Sequence, residues 1–113
     1  MIDYNDRIFR SASNSANGEV SHETIFHYKQ VGFLVTATYR GGRIVDGSLT
    51  ATTDEAGNLT MRYQHVNLDG RFLTGTCYSR PEIMPNGKIR LHEKWQWTCG
   101  DYSSGESVAE ETP

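Results

Sequence analysis

Turn signals recur along this chain at intervals of about a dozen residues, and no other feature limits its fold so strongly. Val31-Gly32, Gly41-Gly42, Ala56-Gly57-Asn58, Asp69-Gly70, Asn86-Gly87 and Gly100-Asp101 each separate runs rich in Thr, Val, Tyr, Phe and Trp. Such runs, joined by Gly, Asn and Asp turns, spell a succession of β-hairpins. No segment of helical length carries a helical period, because Gly or β-branched residues interrupt each candidate. The expectation is an all-β chain of about eight antiparallel strands in sequence order. Strands joined only by hairpins leave unpaired edges unless the sheet closes, so an eight-stranded antiparallel up-and-down meander barrel is the predicted architecture. A two-sheet sandwich is the rival, and it needs longer crossovers than this sequence offers.

Alternation places the strands. A short first strand falls near Arg7 to Ala12, followed by a polar loop through Asn17-Gly18. Thr24 to Gln30 carries Phe26 and Tyr28 on one face, and Phe33 to Arg40 carries Phe33, Val35, Ala37 and Tyr39 on one face. A two-residue turn at Val31-Gly32 pairs Tyr28 with Val35 and Phe26 with Ala37. Arg43 to Thr53 places Val45, Leu49 and Ala51 on one face, with Gly47 where a closed sheet needs a bend or bulge. Across an Asp54 to Asn58 turn, Ala51 meets Met61, Leu49 meets Tyr63 and Gly47 meets His65. A tight loop at Gly41-Gly42 pairs Tyr39 with Ile44 and turns Val45 and Leu49 to the other face, which a bulge repairs at a position the sequence leaves open. Leu59 to Val66, Arg71 to Ser79, Lys88 to Cys99 and a short stretch at Ser107 to Glu110 complete the set. Pro81 to Gly87 forms the longest late connection, and Thr112-Pro113 a frayed end.

The 113 residues amount to a single domain, 1–113, with one core. A net charge of −3 with scattered Lys and Arg argues against nucleic acid and against an anionic membrane surface as partners. Met1 to Arg10 is polar, without the apolar run of a signal peptide, and a cytoplasmic location is the simplest expectation. With Asn86-Gly87 at a turn, Cys77 pairs near Lys94 or Trp95. Cys99 then lies more than about ten ångströms along the neighbouring strand, so two reduced thiols are expected rather than a disulfide.

In a barrel one face of every strand points inward. Phe26, Tyr28, Val35, Ala37, Tyr39, Leu49, Met61, Tyr63, Leu73, Trp95 and Trp97 form the predicted lining. Three tyrosines and two tryptophans bring hydroxyl and indole groups that need partners, either in a cavity or at open barrel ends. Alternation also turns Glu93 inward, where a carboxylate must be protonated, paired or hydrogen-bonded, with Tyr63, His65 and Arg62 as candidate partners. It is either a polar anchor in a cavity or an end-of-barrel carboxylate. The four histidines, His22, His27, His65 and His92, lie on different elements. That spacing offers no convergent metal-ligand set, and no cofactor is expected. No nucleophile-base-acid arrangement stands out, so no catalytic residue is assigned.

Three stretches together carry a family resemblance: Gly18-Glu19-Val20-Ser21 running into Thr24-Ile25-Phe26-His27-Tyr28-Lys29-Gln30; Met61-Arg62-Tyr63-Gln64-His65-Val66-Asn67; and Pro85 through Trp97. They resemble a family of small bacterial proteins often labelled N-acetylglutamate synthase. That label implies an acetyl-coenzyme A transferase, whose pyrophosphate sits on a Gly-rich loop opening a helix. The chain contains no Gln or Arg followed by x-x-Gly-x-Gly or x-x-Gly-x-Ala. Its strand layout is instead similar to the calycin group of avidin-like and lipocalin-like barrels, which implies binding of a small, partly apolar molecule.

Three functions follow as expectations. A binding barrel holds its ligand with Tyr28, Tyr39, Tyr63, His65, Glu93, Trp95 and Trp97, in a cavity of at least roughly a few hundred cubic ångströms. A plugged barrel instead assembles with itself, for instance as a homodimer, or with a partner through outer residues such as Ile25, Leu34, Ile44 and Phe72. An enzyme uses Glu93 and His65 as acid and base, which requires hydrogen-bond reach directly or through one water.

Overall fold

The computed structural model describes residues 2–113. Eight strands run through them: β1 (Ile8–Asn14), β2 (Ile25–Val31), β3 (Leu34–Gly41), β4 (Ile44–Thr53), β5 (Leu59–Asn67), β6 (Phe72–Ile83), β7 (Ile89–Trp97) and β8 (Ser104–Glu111). Each pairs antiparallel with the next, and β8 returns to β1 to close an up-and-down barrel. Closure gives every strand a neighbour on both sides, which is what lets short hairpins suffice.

Register follows turn chemistry. Across β4 and β5 the expected pairs form: Ala51 with Met61, Leu49 with Tyr63 and Gly47 with His65. Cys77 pairs with Trp95, and both cysteines are free thiols. The β2–β3 turn differs from expectation. Its central residues are Gly32 and Phe33, with Gly32 at φ 60°, so Tyr28 faces Ala37 and Phe26 faces Tyr39. A tight turn with a positive φ at its first central residue takes glycine there, which fixes the loop one residue later. The resulting slip is two residues, so both apolar faces are kept.

The bulge lies at Val45. Ile44 pairs with Asn67 and Asp46 with Val66, leaving Val45 as the extra residue. Ile44 is therefore inside, and Val45 and Asp46 are both exposed before Gly47 and Leu49 turn inward again. This corrects two expectations: Val45 does not share a face with Leu49, and Ile44 is not an outer residue. Strand β6 continues through Pro81 to Ile83, and the late connection shrinks to a turn in which Met84 N donates to Lys88 O. Beyond Ser79, β6 has no β5 neighbour, so the missing proline N–H costs the ladder nothing. Strand β7 stops at Trp97, and β8 begins three residues earlier than expected, at Ser104. Thr112 is tied down through its N–H to Ile8 O at 2.8 Å rather than frayed.

The two ends of the barrel are filled differently. At one end the segment before β1 folds inward, and Tyr4 becomes fully buried against Phe9 and Tyr28. Its hydroxyl donates to Gly57 O in the β4–β5 turn. Val35, Leu59, Ile89 and Leu91 complete this plugged half. At the other end the inward residues are mostly aromatic, and three of them lie over glycines on the neighbouring strand: Tyr39 over Gly47, Tyr63 over Gly75 and Trp95 over Gly105. Glycine makes room there for a ring laid flat on the wall, which plain strand alternation cannot accommodate.

Candidate functional site

The aromatic half holds a partly open cavity of about 60 Å³. Phe26, Leu49, Met61, Tyr63 and Trp97 supply most of its apolar wall, and Glu93 with Ser107 its polar patch. The predicted lining from Phe26 to Trp97 belongs to the core or packs against it, whereas Val45, expected on the face of Leu49, does not. The volume is several-fold smaller than anticipated for a binding barrel. The reason is a lid: the connection from β1 to β2 folds across the barrel mouth, and Gly18, Glu19 and Val20 line the cavity from above.

Side chains hold this lid in place. The Trp97 indole N–H donates to Asn17 O at 3.1 Å, and the Trp95 indole N–H to Asn14 Oδ1 at 3.1 Å. Asn14 Nδ2 in turn donates to Val20 O. The Trp97 indole thus grips the lid directly and the Trp95 indole through Asn14 at the end of β1, which is the outcome neither an open end nor a waiting ligand describes. Glu19 makes the deepest contact, with Oε1 2.7 Å from His65 Nε2 and Oε2 accepting from Asn67 Nδ2 at 2.9 Å. Arg43 Nε stands 3.5 Å from the same Oε2.

The protonation states follow from burial and partners. Burial alone would raise the Glu19 carboxyl, but hydrogen bonds from Asn67, His65 and Arg43 outweigh it and hold the pKa below the usual value. Burial holds the His65 imidazole below its ordinary pKa although Glu19 pulls the other way, so the ring is mainly neutral at pH 7. A neutral ring that donates from Nε2 to Glu19 must accept at Nδ1, where the Tyr39 hydroxyl lies at 2.9 Å. Tyr39, His65 and Glu19 therefore form one directed chain from wall to lid.

Glu93 sits on β7 directly between Ser79 and Ser107 of the flanking strands. Ser107 Oγ donates to Oε1 at 2.9 Å and Ser79 Oγ to Oε2 at 3.3 Å. These serines, not Tyr63, His65 or Arg62, are its partners. Arg62 is exposed on the outer face, because alternation turns it away from Met61 and Tyr63. Burial pushes the Glu93 carboxyl above its usual pKa against the lowering effect of both serines. It lines the cavity in the middle of its strand, so it is not an end-of-barrel carboxylate.

Tyr28 lies below, packed between Tyr4, Phe9 and Phe26, and is not among the residues that line the cavity. Burial and then the Glu93 charge raise its hydroxyl pKa. Among the described residues no sealed side-chain nitrogen or oxygen lacks a partner. Among the hydrogen bonds of the described residues, the Tyr28 and Tyr63 hydroxyls take no part, and of the two only Tyr63 lines the cavity. Tyr39, Tyr63, His65, Glu93, Trp95 and Trp97 all face one cavity. Glu93 and His65 do not bond to each other, each being engaged elsewhere. Among the described residues no group of three or more His, Cys, Asp or Glu side chains is placed to hold a metal ion.

Nothing in the sequence assigns Glu19, Asn14, Asn17 or Asn67 to the site. Asn14 closes β1, and Glu19 and Asn17 lie in a polar loop with no periodicity to say where it folds. Asn67 carried a signal, since it stands just before Asp69-Gly70 and accepts the Asp69 and Arg71 backbone N–H groups as a turn-forming Asn does. Over residues 2–112 the chain matches the model of a family described as avidin-like protein. No curated protein and no solved structure matches it. The family match gives no support to the N-acetylglutamate synthase label.

Proposed function

This chain belongs to the avidin-like family, and from that premise we propose that it is a small-molecule-binding barrel for a partly apolar ligand. The observation that carries the reading is the contrast between the two ends. One is packed solid around Tyr4, while the other keeps a cavity beneath a lid fastened mainly by side chains. Interiors close-pack where nothing else is asked of them, and an unfilled space forfeits contacts. Tyr63 and Trp97 offer edge and face to an apolar ligand, with Glu93, Tyr39 and His65 as polar anchors and Trp95 at the wall. Tyr28 supports the floor from below. The ligand is small as long as the lid is shut, and a larger one enters only by displacing Gly18 to Val20.

Native mass spectrometry of the freshly purified protein, set against its denatured mass, is the test. A retained mass that is lost on denaturation is the expected result. A bare polypeptide, together with unchanged tryptophan emission across a panel of small aromatic and aliphatic compounds, would falsify the reading.

Self-assembly is a second reading with its own observation. Phe72 is 82% exposed, and Leu68 and Val45 are also exposed at the same end of the barrel. Leu34 is exposed as well, but Ile25 is only half-exposed and Ile44 is buried. A homodimer through this apolar surface predicts a doubled mass in the same spectrum, abolished by Phe72→Ser.

A further inference from the structure

Of the groups that hold Glu19, His65 and Asn67 belong to the barrel wall and Arg43 to the β3–β4 turn, and their directions are fixed without it. Asn67 Oδ1 accepts two backbone N–H groups from the β5–β6 turn, so its amide nitrogen has to face the mouth. His65 Nδ1 is engaged by Tyr39, which leaves Nε2 as the donor at the rim. Arg43 is anchored by Asp69, with Nη2 2.6 Å from Oδ2. Three donors therefore converge on one point with the spacing that the two oxygens of a carboxylate fill. The lid is held mainly through side chains, with Asn17 Nδ2 donating to Ser103 Oγ and Ser104 O, and the Ser15 N–H anchors its root on Glu106 O. Among the described residues no backbone-to-backbone hydrogen bond joins residues 16–20 to the wall.

We propose that the His65, Asn67 and Arg43 socket recognises the carboxylate of a small acid with an apolar or aromatic tail, and that Glu19 fills it in the free protein as a tethered competitor. This deepens the reading of the cavity as a ligand site and rests on it. The carboxylate follows from the donors. When Glu19 leaves, the His65 and Asn67 N–H groups, both on buried side chains, need an acceptor, and the neighbouring Arg43 cation favours an anion. A ligand without acceptor oxygens that opened the lid would leave both donors unpaired, and a single neutral hydroxyl would not match two donors that now each meet an oxygen of their own. The tail follows from the wall beneath the socket, where Phe26, Leu49, Met61 and Trp97 line the same cavity as Glu19 itself. The limited volume restricts it to a single ring or a short chain.

Sodium benzoate is the probe, with benzyl alcohol as the uncharged ring of similar size. The indole N–H signals of Trp95 and Trp97 in a ¹H–¹⁵N spectrum read ligand entry and lid displacement together, because they bond to Asn14 and Asn17. Benzoate is expected to bind Glu19→Ala at least about tenfold more tightly than wild type, with benzyl alcohol gaining less than about threefold. Adding Asn67→Ala to Glu19→Ala abolishes the benzoate gain alone. Equal gains for both probes overturn the carboxylate socket and leave the cavity standing as a ligand site. Failure of both probes to bind either protein overturns the cavity reading with it. Should Glu19→Ala not fold, Glu19→Gln keeps the side-chain shape without the charge. A benzoate gain of at least about threefold is expected there, and its absence in folded Glu19→Gln overturns the proposal.

Discussion

Gly47 faces Tyr39 directly across the β3–β4 ladder, and a methyl group at position 47 would come within 2.5 Å of the Tyr39 ring. The glycine is therefore a seat for the ring, and the ring positions the hydroxyl that meets His65 Nδ1. Gly47→Ala is expected to cost about 1–3 kcal/mol, the usual range for forcing a methyl into a packed site. Tyr39→Leu in the same chain removes the obstacle, so the double variant loses less than the sum of the two single ones. Chemical denaturation of the four proteins measures the coupling. Additive losses would show that Gly47 has some other role.

The plug at the opposite end gives a separate expectation. Tyr4 is fully buried and its hydroxyl reaches Gly57 O. Tyr4→Phe loses that hydrogen bond, about 1 kcal/mol, and Tyr4→Ala loses the ring contacts as well, about 3–5 kcal/mol in all. The same two-step loss, read by denaturation, is absent if the plug contributes nothing.

Glu93→Gln is expected to raise Tm at pH 7. The folded-state pKa lies above the unfolded value near 4.5, so the contribution of Glu93 to stability is fully present below that value and lost as pH rises through the raised pKa. Glutamine keeps bonds to Ser79 and Ser107 without a charge to bury. The gain over wild type should shrink to nothing on acidification to about pH 4. A gain independent of pH would point to packing instead.

Acid is expected to loosen the lid end in two stages. The His65 pKa is held below 6.5, so its contribution to stability falls as pH drops from the unfolded value through the folded one. Glu19, with a folded pKa below 4.5, stabilises above that value and ceases to do so as pH falls through its lowered pKa. In a comparison of Tm against pH, the wild type should lose its advantage over His65→Gln below about pH 6.5. Glu19→Gln should differ from wild type most above pH 4.5 and converge with it in stronger acid. Parallel curves at all pH values would mean that neither group titrates differently on folding.

The thiols should separate by reactivity. Cys77 is buried, and burial pushes its thiol pKa well above the usual value, while Cys99 is partly exposed at the end of β7. With a thiol-exchange reagent near neutral pH, Cys99 reacts in the folded protein and Cys77 only on unfolding. Two equivalents released at the same rate would contradict that burial.

The avidin-like barrel was legible in the strands because alternation and turn residues are local properties. The pairs Ala51 with Met61 and Leu49 with Tyr63 follow from counting outward from one turn. The β2–β3 slip and the Val45 bulge show where local counting stops: which residue of a turn takes positive φ, and where a strand gains an extra residue, depend on the neighbouring strands as well. Even so, a two-residue error leaves a face unchanged, so the inward residues survived it.

The cavity wall was accordingly readable, and the lid was not. Trp95, Trp97, Tyr63 and Glu93 could be turned inward by periodicity alone. Their partners could not be named, because Ser79 and Ser107 reach Glu93 only through pairing with strands on both sides. By itself the sequence determined the all-β class, the strand order and, outside the start of β4 before its bulge, which face of each strand is buried, since each rests on residues near in the chain. Only the tertiary structure decided that Tyr4 plugs one end and that Glu19 closes the other, 46 positions before the histidine it meets. A loop without periodicity carries no local record of where its side chains go, and closure of the barrel is what creates the mouth they fill.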